Sequence, residues 1–220
     1  KLKGQLLNEM KKASSSEEFE KAAHLRDKIK WMDQEINHYA VKKHKADISK
    51  DILNELKNAL GLTNIPKRIE AFDISNLGPF ETVASMVVFE KGVPNKNHYR
   101  RFKISQKKVP NDTAAIYEVI YRRYNGSLKK SLPNPDLIVV DGGKGQLSSA
   151  EKALKDANLK TAEIVGIAKR LEQIYKAGNK EPINLLSDSK ALHILLQIRD
   201  EAHRFALKYH KLRRNKSFLR

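Results

Sequence analysis

Two short apolar runs, each delivering an aspartate, constrain this chain more than any other feature. Ile69-Glu-Ala-Phe-Asp-Ile-Ser75 carries Asp73, and Pro135-Asp-Leu-Ile-Val-Val-Asp141 ends in Asp141. Their length and apolar character read as buried strands. A carboxylate at the end of such a strand must be solvated, hydrogen-bonded or bound to a cation, because an unpaired buried charge is too costly. Two of them on neighbouring strands would make a site for a hard divalent metal such as Mg²⁺. The chain around them is strongly basic, with 43 Lys and Arg against 26 Asp and Glu and a net charge of +17. That excess predicts a polyanionic partner, and with the acidic pair it points to phosphodiester chemistry on nucleic acid.

Other classes drop out quickly. No long apolar span, lipidation motif or secretory signal is present, so nucleic acid is favoured over a membrane surface. The absence of cysteine excludes disulfides, thiolate metal sites and thiol catalysis, and fits a cytoplasmic protein. A chain of 220 residues holds one good-sized domain and a small one. It begins at Lys1 rather than methionine, which reads as a piece of something longer.

Residues 1–40 read as a helical hairpin. Leu2, Leu6, Leu7 and Met10 form one apolar stripe. Ser15 with Glu18 makes a capping-box signature for the second helix, whose apolar face is Phe19, Ala22, Ala23, Leu25, Ile29, Met32 and Ile36. So small a hairpin cannot bury both stripes alone, which implies a partner. Residues 41–65 read as a Lys-rich connector ending in a short helix from Asp51 to Leu60.

From residue 66 the pattern changes to strands at Arg68–Ser75, Thr82–Glu90 and His98–Ser105, with turn chemistry at Gly92 to Asn95. A helix over Asp112–Tyr124, the run Leu137–Val140, a helix over Gln146–Asn158 and a strand at Glu163–Ala168 follow. A hairpin spanning Leu171 to Leu185 and a helix over Ser189–Leu212 complete the pattern. The predicted class is α/β, a ribonuclease H-like mixed sheet flanked by helices, over residues 66–220. In that fold the first and fourth strands are parallel central neighbours, which sets Asp73 beside Asp141.

Each motif has a plainer reading beside the chemical one. Asp73 alone suits a strand-end turn at Ser75-Asn76, and Asp141 before Gly142-Gly143 suits turn chemistry; the strand order raises the pair above either residue. Gly142-Gly-Lys-Gly145 lacks the spacing of a nucleotide-binding loop, which excludes nucleotide hydrolysis, but Lys144 at a helix start suits one DNA phosphate. On the last helix Arg199, His203 and His210 share roughly one face with Leu192, Leu195 and Leu196. A histidine there is usually a hydrogen-bonded core residue; near the aspartates it would serve as proton carrier or metal ligand. Arg100-Arg101, Arg122-Arg123, Lys169-Arg170 and the basic tail Lys208–Arg220 suit phosphate contacts, although any single pair suits a solvated face equally.

Taken in order, several blocks resemble the C-terminal half of the UvrC family, the nuclease subunit of bacterial nucleotide-excision repair. Glu18-Phe-Glu-Lys-Ala-Ala-His-Leu-Arg-Asp27 resembles the UVR motif. Phe72-Asp-Ile-Ser-Asn76, Thr82-Val-Ala-Ser-Met86, Tyr99-Arg-Arg-Phe-Lys103, Val140-Asp-Gly-Gly-Lys-Gly-Gln146, Gly166-Ile-Ala-Lys-Arg170 and Arg199-Asp-Glu-Ala-His-Arg-Phe-Ala206 resemble blocks of its ribonuclease H-like endonuclease domain. The resemblance implies a two-metal-type DNA endonuclease using Mg²⁺ or Mn²⁺ that makes the 5′ incision in damaged double-stranded DNA. It puts the family's catalytic and metal-binding residues on Asp73, Asp141 and His203, with a further carboxylate on Asp112. DNA contacts are expected at Lys144, Arg100, Arg101, Lys169, Arg170, Arg199 and Arg204. UvrB is the implied partner of the hairpin, through Phe19, Ala22, Ala23, Leu25, Arg26 and Ile29. Three departures stand out: the GIY-YIG nuclease and the helix-hairpin-helix module are absent, and the connector is short. The missing ends fit truncation, whereas the short connector suggests an internal deletion or a minimal member. The rival expectation is a non-catalytic adaptor that binds UvrB and DNA with a silent centre. A ribonuclease H acting on RNA–DNA hybrids is disfavoured by the hairpin.

Overall fold

The computed structural model describes residues 2–16, 18–77, 81–104, 111–168 and 173–217, and the chain divides into two compact units, Lys1–Ile48 and Ser49–Arg220. In the first unit helix α1 (Leu2–Ser15) is followed by the start of α2 (Phe19–Leu60). Leu6, Leu25 and Ile29 form its buried cluster, with Met10 packed against them. The expected capping box does not form. Ser15 is still inside α1, where its hydroxyl donates to the Lys11 carbonyl at 2.9 Å, and the Glu18 carbonyl instead accepts the Ala22 amide that opens α2. That bond turns the Ser15 side chain back along α1, and Ser15 lies within α1 rather than at the N-cap of α2.

A second correction concerns the expected connector. The backbone is helical without interruption from Phe19 to Leu60. Residues 39–60 contain neither glycine nor proline and are rich in Lys, Ala and Leu, so nothing in them breaks a helix. The helix ends at Gly61, whose φ of 56° is the left-handed conformation glycine adopts readily after a last helical turn.

The second unit is a sheet with helices on both faces. Strands β1 (Arg68–Leu77) and β2 (Glu81–Glu90) pair antiparallel, and β2 also pairs with the short β3 (Val93–Pro94) and with β4 (Arg100–Lys103). Lys96–His98 forms a 3-10 turn, so the third long strand of the meander begins later than the sequence suggests. Helices α3 (Asp112–Asn125) and α4 (Leu128–Ser131) lead to β5 (Leu137–Asp141), which lies parallel to β1. Helix α5 (Lys144–Asp156), β6 (Glu163–Ile167), β7 (Ile174–Lys176) and α6 (Lys190–Ser217) follow. The sheet order is β3-β2-β1-β5-β6-β7, with β4 on β2. This is the expected mixed sheet, with β1 and β5 as central parallel neighbours.

Alternation along β1 divides its side chains between two faces. Glu70 meets Arg123 and Tyr124 of α3 on one face. Asp73 lies on the other, where His203 of α6 approaches it. The β5 run Leu137–Val140 is buried throughout, as a strand covered on both faces must be.

Candidate active site

The paired register of β1 and β5 ends on Ala71 with Val139 and Phe72 with Val140, so the next residues along, Asp73 and Asp141, fall side by side on one face. Both are buried. One rung of the sheet thus runs from Arg101 on β4 through Ser85 on β2 to Asp73 on β1, continues to Asp141 on β5 and passes to Ile167 on β6. Apolar runs that press toward the core on either side hold these polar residues in register.

The carboxyl of Asp73 is pushed up from 3.8 to about 6, first by burial and then by its hydrogen bond to, and charge repulsion from, Asp141. The Ser75 hydroxyl, which donates to Asp73 Oδ2 at 2.7 Å, and the nearby His203 both pull the other way. Two carboxyls this close resist ionising together, as a pair awaiting a cation does. His203 Nδ1 stands 3.8 Å from Asp73 Oδ1, with half the imidazole exposed. Helix α6 is held at that level by the buried Ser85 hydroxyl, which donates to the Ala202 carbonyl at 3.2 Å.

Asp112 is not gathered with these groups into a finished cage: among the described residues no three His, Cys, Asp or Glu side chains converge to hold a metal. It is exposed at the start of α3, where the preceding Asn111 side chain accepts the amides of Thr113 and Ala114. The pair Asp73 and Asp141 with His203 nevertheless offers oxygen and imidazole donors, a set that fits a divalent cation.

The basic residues singled out in the sequence have intramolecular contacts. Arg204 makes two hydrogen bonds to Glu201, both at 2.6 Å, and Arg199 bonds Asp200 at 2.9 and 3.0 Å. Arg100 donates to the carbonyls of Asn97 and Tyr99. Arg101 lies 4.0 Å over the Phe205 ring and donates to the Phe205 carbonyl. Lys144 is exposed at the start of α5, its ammonium donating to the Lys180 carbonyl at 3.2 Å. Lys169 and Arg170 lie outside the described residues, as does the side chain of His210.

In the hairpin Phe19 is 67 % exposed and Arg26 is exposed, Ala22 and Ala23 are half-buried, and Leu25 and Ile29 belong to the internal cluster. Ser75 and Ser85 join the site beyond the residues expected from the sequence. The signal for Ser85 was present, since it is a lone hydroxyl inside the apolar stretch Val83-Ala-Ser-Met-Val-Val-Phe89.

Asp141 ends β5, whereas Asp73 lies inside β1, which continues through Ser75 to Leu77 rather than turning there. This sheet order, with an acid on each of its two central parallel strands and a helix carrying a histidine across them, defines a ribonuclease H-like domain. Residues 57–207 match the family model described as the UvrC RNAse H endonuclease domain, and residues 1–31 match the UvrB/uvrC motif. The chain belongs to the UvrC family. It is 50 % identical over 167 residues to the UvrABC system protein C of Pelodictyon phaeoclathratiforme, covering 76 % of this chain and 26 % of that protein. It is 45 % identical to that of Cytophaga hutchinsonii, covering 81 % and 30 %, and 48 % identical to that of Methanosarcina mazei, covering 76 % and 32 %. The chain therefore spans about a quarter to a third of these relatives. Among solved structures, Ciona intestinalis endonuclease V bound to inosine-containing DNA is similar at a TM-score of 0.37 and 14 % identity, covering 62 % of this chain and 59 % of that one. So distant a likeness adds nothing to the topology already described.

Proposed function

We propose that this chain is the endonuclease part of an excision-repair nuclease, recruited through its hairpin to UvrB, and that it makes the 5′ incision beside a lesion in double-stranded DNA. The carrying observation is the juxtaposition of Asp73 and Asp141 on adjacent strands with His203 3.8 Å from Asp73. Asp73 and Asp141 would hold Mg²⁺ or Mn²⁺ for two-metal-type chemistry, with His203 as ligand or proton carrier. A divalent cation held there supplies Lewis-acid activation of the scissile phosphate and of the attacking water. Burial at the sheet keeps the two carboxylates fixed and excludes bulk water from one side. Half-exposed, His203 is open to the solvent side, where it transfers a proton at its imidazole to the leaving oxygen. Asp112, exposed at the start of α3, contributes through water.

Lys144, with Lys169, Arg170, Arg100, Arg199 and Arg204, supplies phosphate contacts. The arginines exchange their internal partners for phosphate on binding, which lowers their net contribution. No helix among the described residues is long and apolar enough to cross a membrane, and a cytoplasmic location suits a repair nuclease.

The deciding experiment is incision of a lesion-containing duplex already nicked on the 3′ side, with UvrB, ATP and Mg²⁺, comparing wild type with Asp141→Asn. A cut 5′ to the lesion by wild type alone is expected. No cut by either, with DNA and UvrB binding intact, would establish the adaptor reading instead.

A further inference from the structure

The antiparallel pairing of β1 with β2 places Ser85 directly opposite Asp73, and directly opposed residues share a face of the sheet. On that face α6 brings up one turn, and three consecutive rung positions grip it. Asp73 meets the His203 ring, Ser85 donates to the carbonyl of Ala202, and Arg101, paired with Ser85, donates to the carbonyl of Phe205 while covering its ring. Ser85 is fully buried within the apolar stretch of β2 over residues 83–89. A valine or methionine would be the ordinary occupant, and a buried hydroxyl persists where its hydrogen bond has a use. Its acceptor is not a loose end. The Ala202 carbonyl lies in the middle of a helix, where the amide of Ala206 already serves it. The added bond is therefore not needed to satisfy the backbone; it fixes how far along and how close α6 lies against the sheet.

We infer that Ser85 is a positioning residue for the nuclease centre, holding the turn Ala202–Phe205 so that His203 stays in reach of Asp73, with Arg101 as the second anchor of the same turn. The inference rests on the nuclease reading for its consequence in catalysis, but not for the tether itself. Serine suits the position on size as well: it lets the helix approach closely while offering a donor, where threonine adds only a methyl group and alanine removes the donor.

Ser85→Ala, Ser85→Thr and Arg101→Ala are compared with wild type in two ways. The first is amide hydrogen exchange across residues 202–206 in the metal-free protein, read against the exchange of β5 as an internal standard. Ser85→Ala is expected to speed exchange in that turn about tenfold with β5 unchanged, and Ser85→Thr to restore most of the protection. The second is single-turnover incision of the nicked lesion duplex. Ser85→Ala is expected to lower the rate at saturating DNA at least tenfold with the Kd for DNA unchanged, and Ser85→Thr to recover it within about threefold. Arg101→Ala is expected to lower the same rate with little change in Kd; a rise in Kd at full rate would make it a phosphate contact and remove it from the clamp.

Wild-type exchange and wild-type rate in Ser85→Ala would overturn the inference. General unfolding of Ser85→Ala, or loss of protection in β5 as much as in α6, would overturn it as well, because Ser85 would then be an ordinary core residue. If wild type itself does not cut, the nuclease reading fails while the exchange measurement still decides the tether.

Discussion

Glu70 and Arg123 meet in the interior with neither side chain exposed, Arg123 Nη2 and Nε donating to the two carboxylate oxygens at 2.8 and 3.0 Å. Arg68 and the Tyr124 hydroxyl complete the set around Glu70, and Arg123 also reaches the Pro133 carbonyl at 2.7 Å. Burial and the Glu70 charge together push the Tyr124 phenol well above its ordinary value, so it remains a donor at any working pH. This network sits on the face of β1 opposite Asp73 and ties α3 to the sheet. Removing one charge strands the others in a dry environment, so Glu70→Ala is expected to destabilise by about 3–5 kcal/mol. Replacing both partners with apolar groups, as in Glu70→Leu with Arg123→Met, is expected to cost less than the single change, since no orphaned guanidinium remains from that pair. Urea denaturation of wild type, Glu70→Leu, Arg123→Met and the double variant checks it, and strict additivity would show that the pair is not coupled.

The raised Asp73 carboxyl has a consequence for stability in the metal-free protein. Its folded-state value of about 6 lies above its ordinary 3.8, so the folded chain holds this proton more tightly than the unfolded one does. The associated stabilisation is complete below about pH 4 and is lost as pH rises through 6, amounting to roughly 2–3 kcal/mol. Asp73→Asn keeps an acceptor for Ser75 without the charge, and is expected to remove this pH dependence and to stabilise the metal-free protein at pH 7. Mg²⁺ should stabilise wild type more at pH 7.5 than at pH 5, where it competes with the proton. Denaturation midpoints at the two pH values, with and without Mg²⁺, test both statements.

The hairpin separates two roles that the sequence merged. Leu25 and Ile29 fill its own interior against Leu6, whereas Phe19 stands mostly in solvent. Ile29→Asp is expected to unfold the packing of α1, seen as loss of amide protection over residues 5–13. Phe19→Ala should leave stability within about 0.5 kcal/mol and weaken UvrB association by about 1–2 kcal/mol. Calorimetric titration with UvrB reads the second effect, and unchanged affinity would move the partner surface away from Phe19.

The strands and the adjacency of Asp73 and Asp141 were legible because burial on both faces leaves long apolar runs, and a parallel pair needs a helical crossover that the sequence also displays. The course of residues 39–60 was not legible as one helix, because a Lys-rich polar stretch without glycine or proline reads equally as linker or solvated helix. The arginines illustrate a different limit. Charge is visible in a sequence but its partner is not, and Arg101, Arg199 and Arg204 all meet groups on α6 or its neighbours. The sequence marks Ser85 as a lone hydroxyl in an apolar stretch, but neither it nor Ser75 shows a role there, because a hydroxyl gains its meaning from what stands across the rung or the turn.

Gly166 offers a test of how tightly the site depends on its backing. It pairs with Val140, one residue before Asp141, and a Cβ placed on it would lie 2.6 Å from the Gly142 carbonyl oxygen. That oxygen belongs to the backbone immediately after Asp141, and the Gly142 amide is itself bonded to the Val140 carbonyl at 2.9 Å, so the turn cannot yield without moving the aspartate. Gly166→Ala is therefore expected to destabilise by about 1–3 kcal/mol, as overpacking against rigid atoms does. The cleavage rate should fall further than stability explains when both are measured well below the melting temperature. Gly143→Ala is the control, since a Cβ there meets nothing within 4 Å and its φ of −82° is open to any residue. It should leave folding within about 0.5 kcal/mol and the cleavage rate nearly intact. Equal rates for Gly166→Ala and wild type would mean that the turn behind Asp141 is not held by this contact.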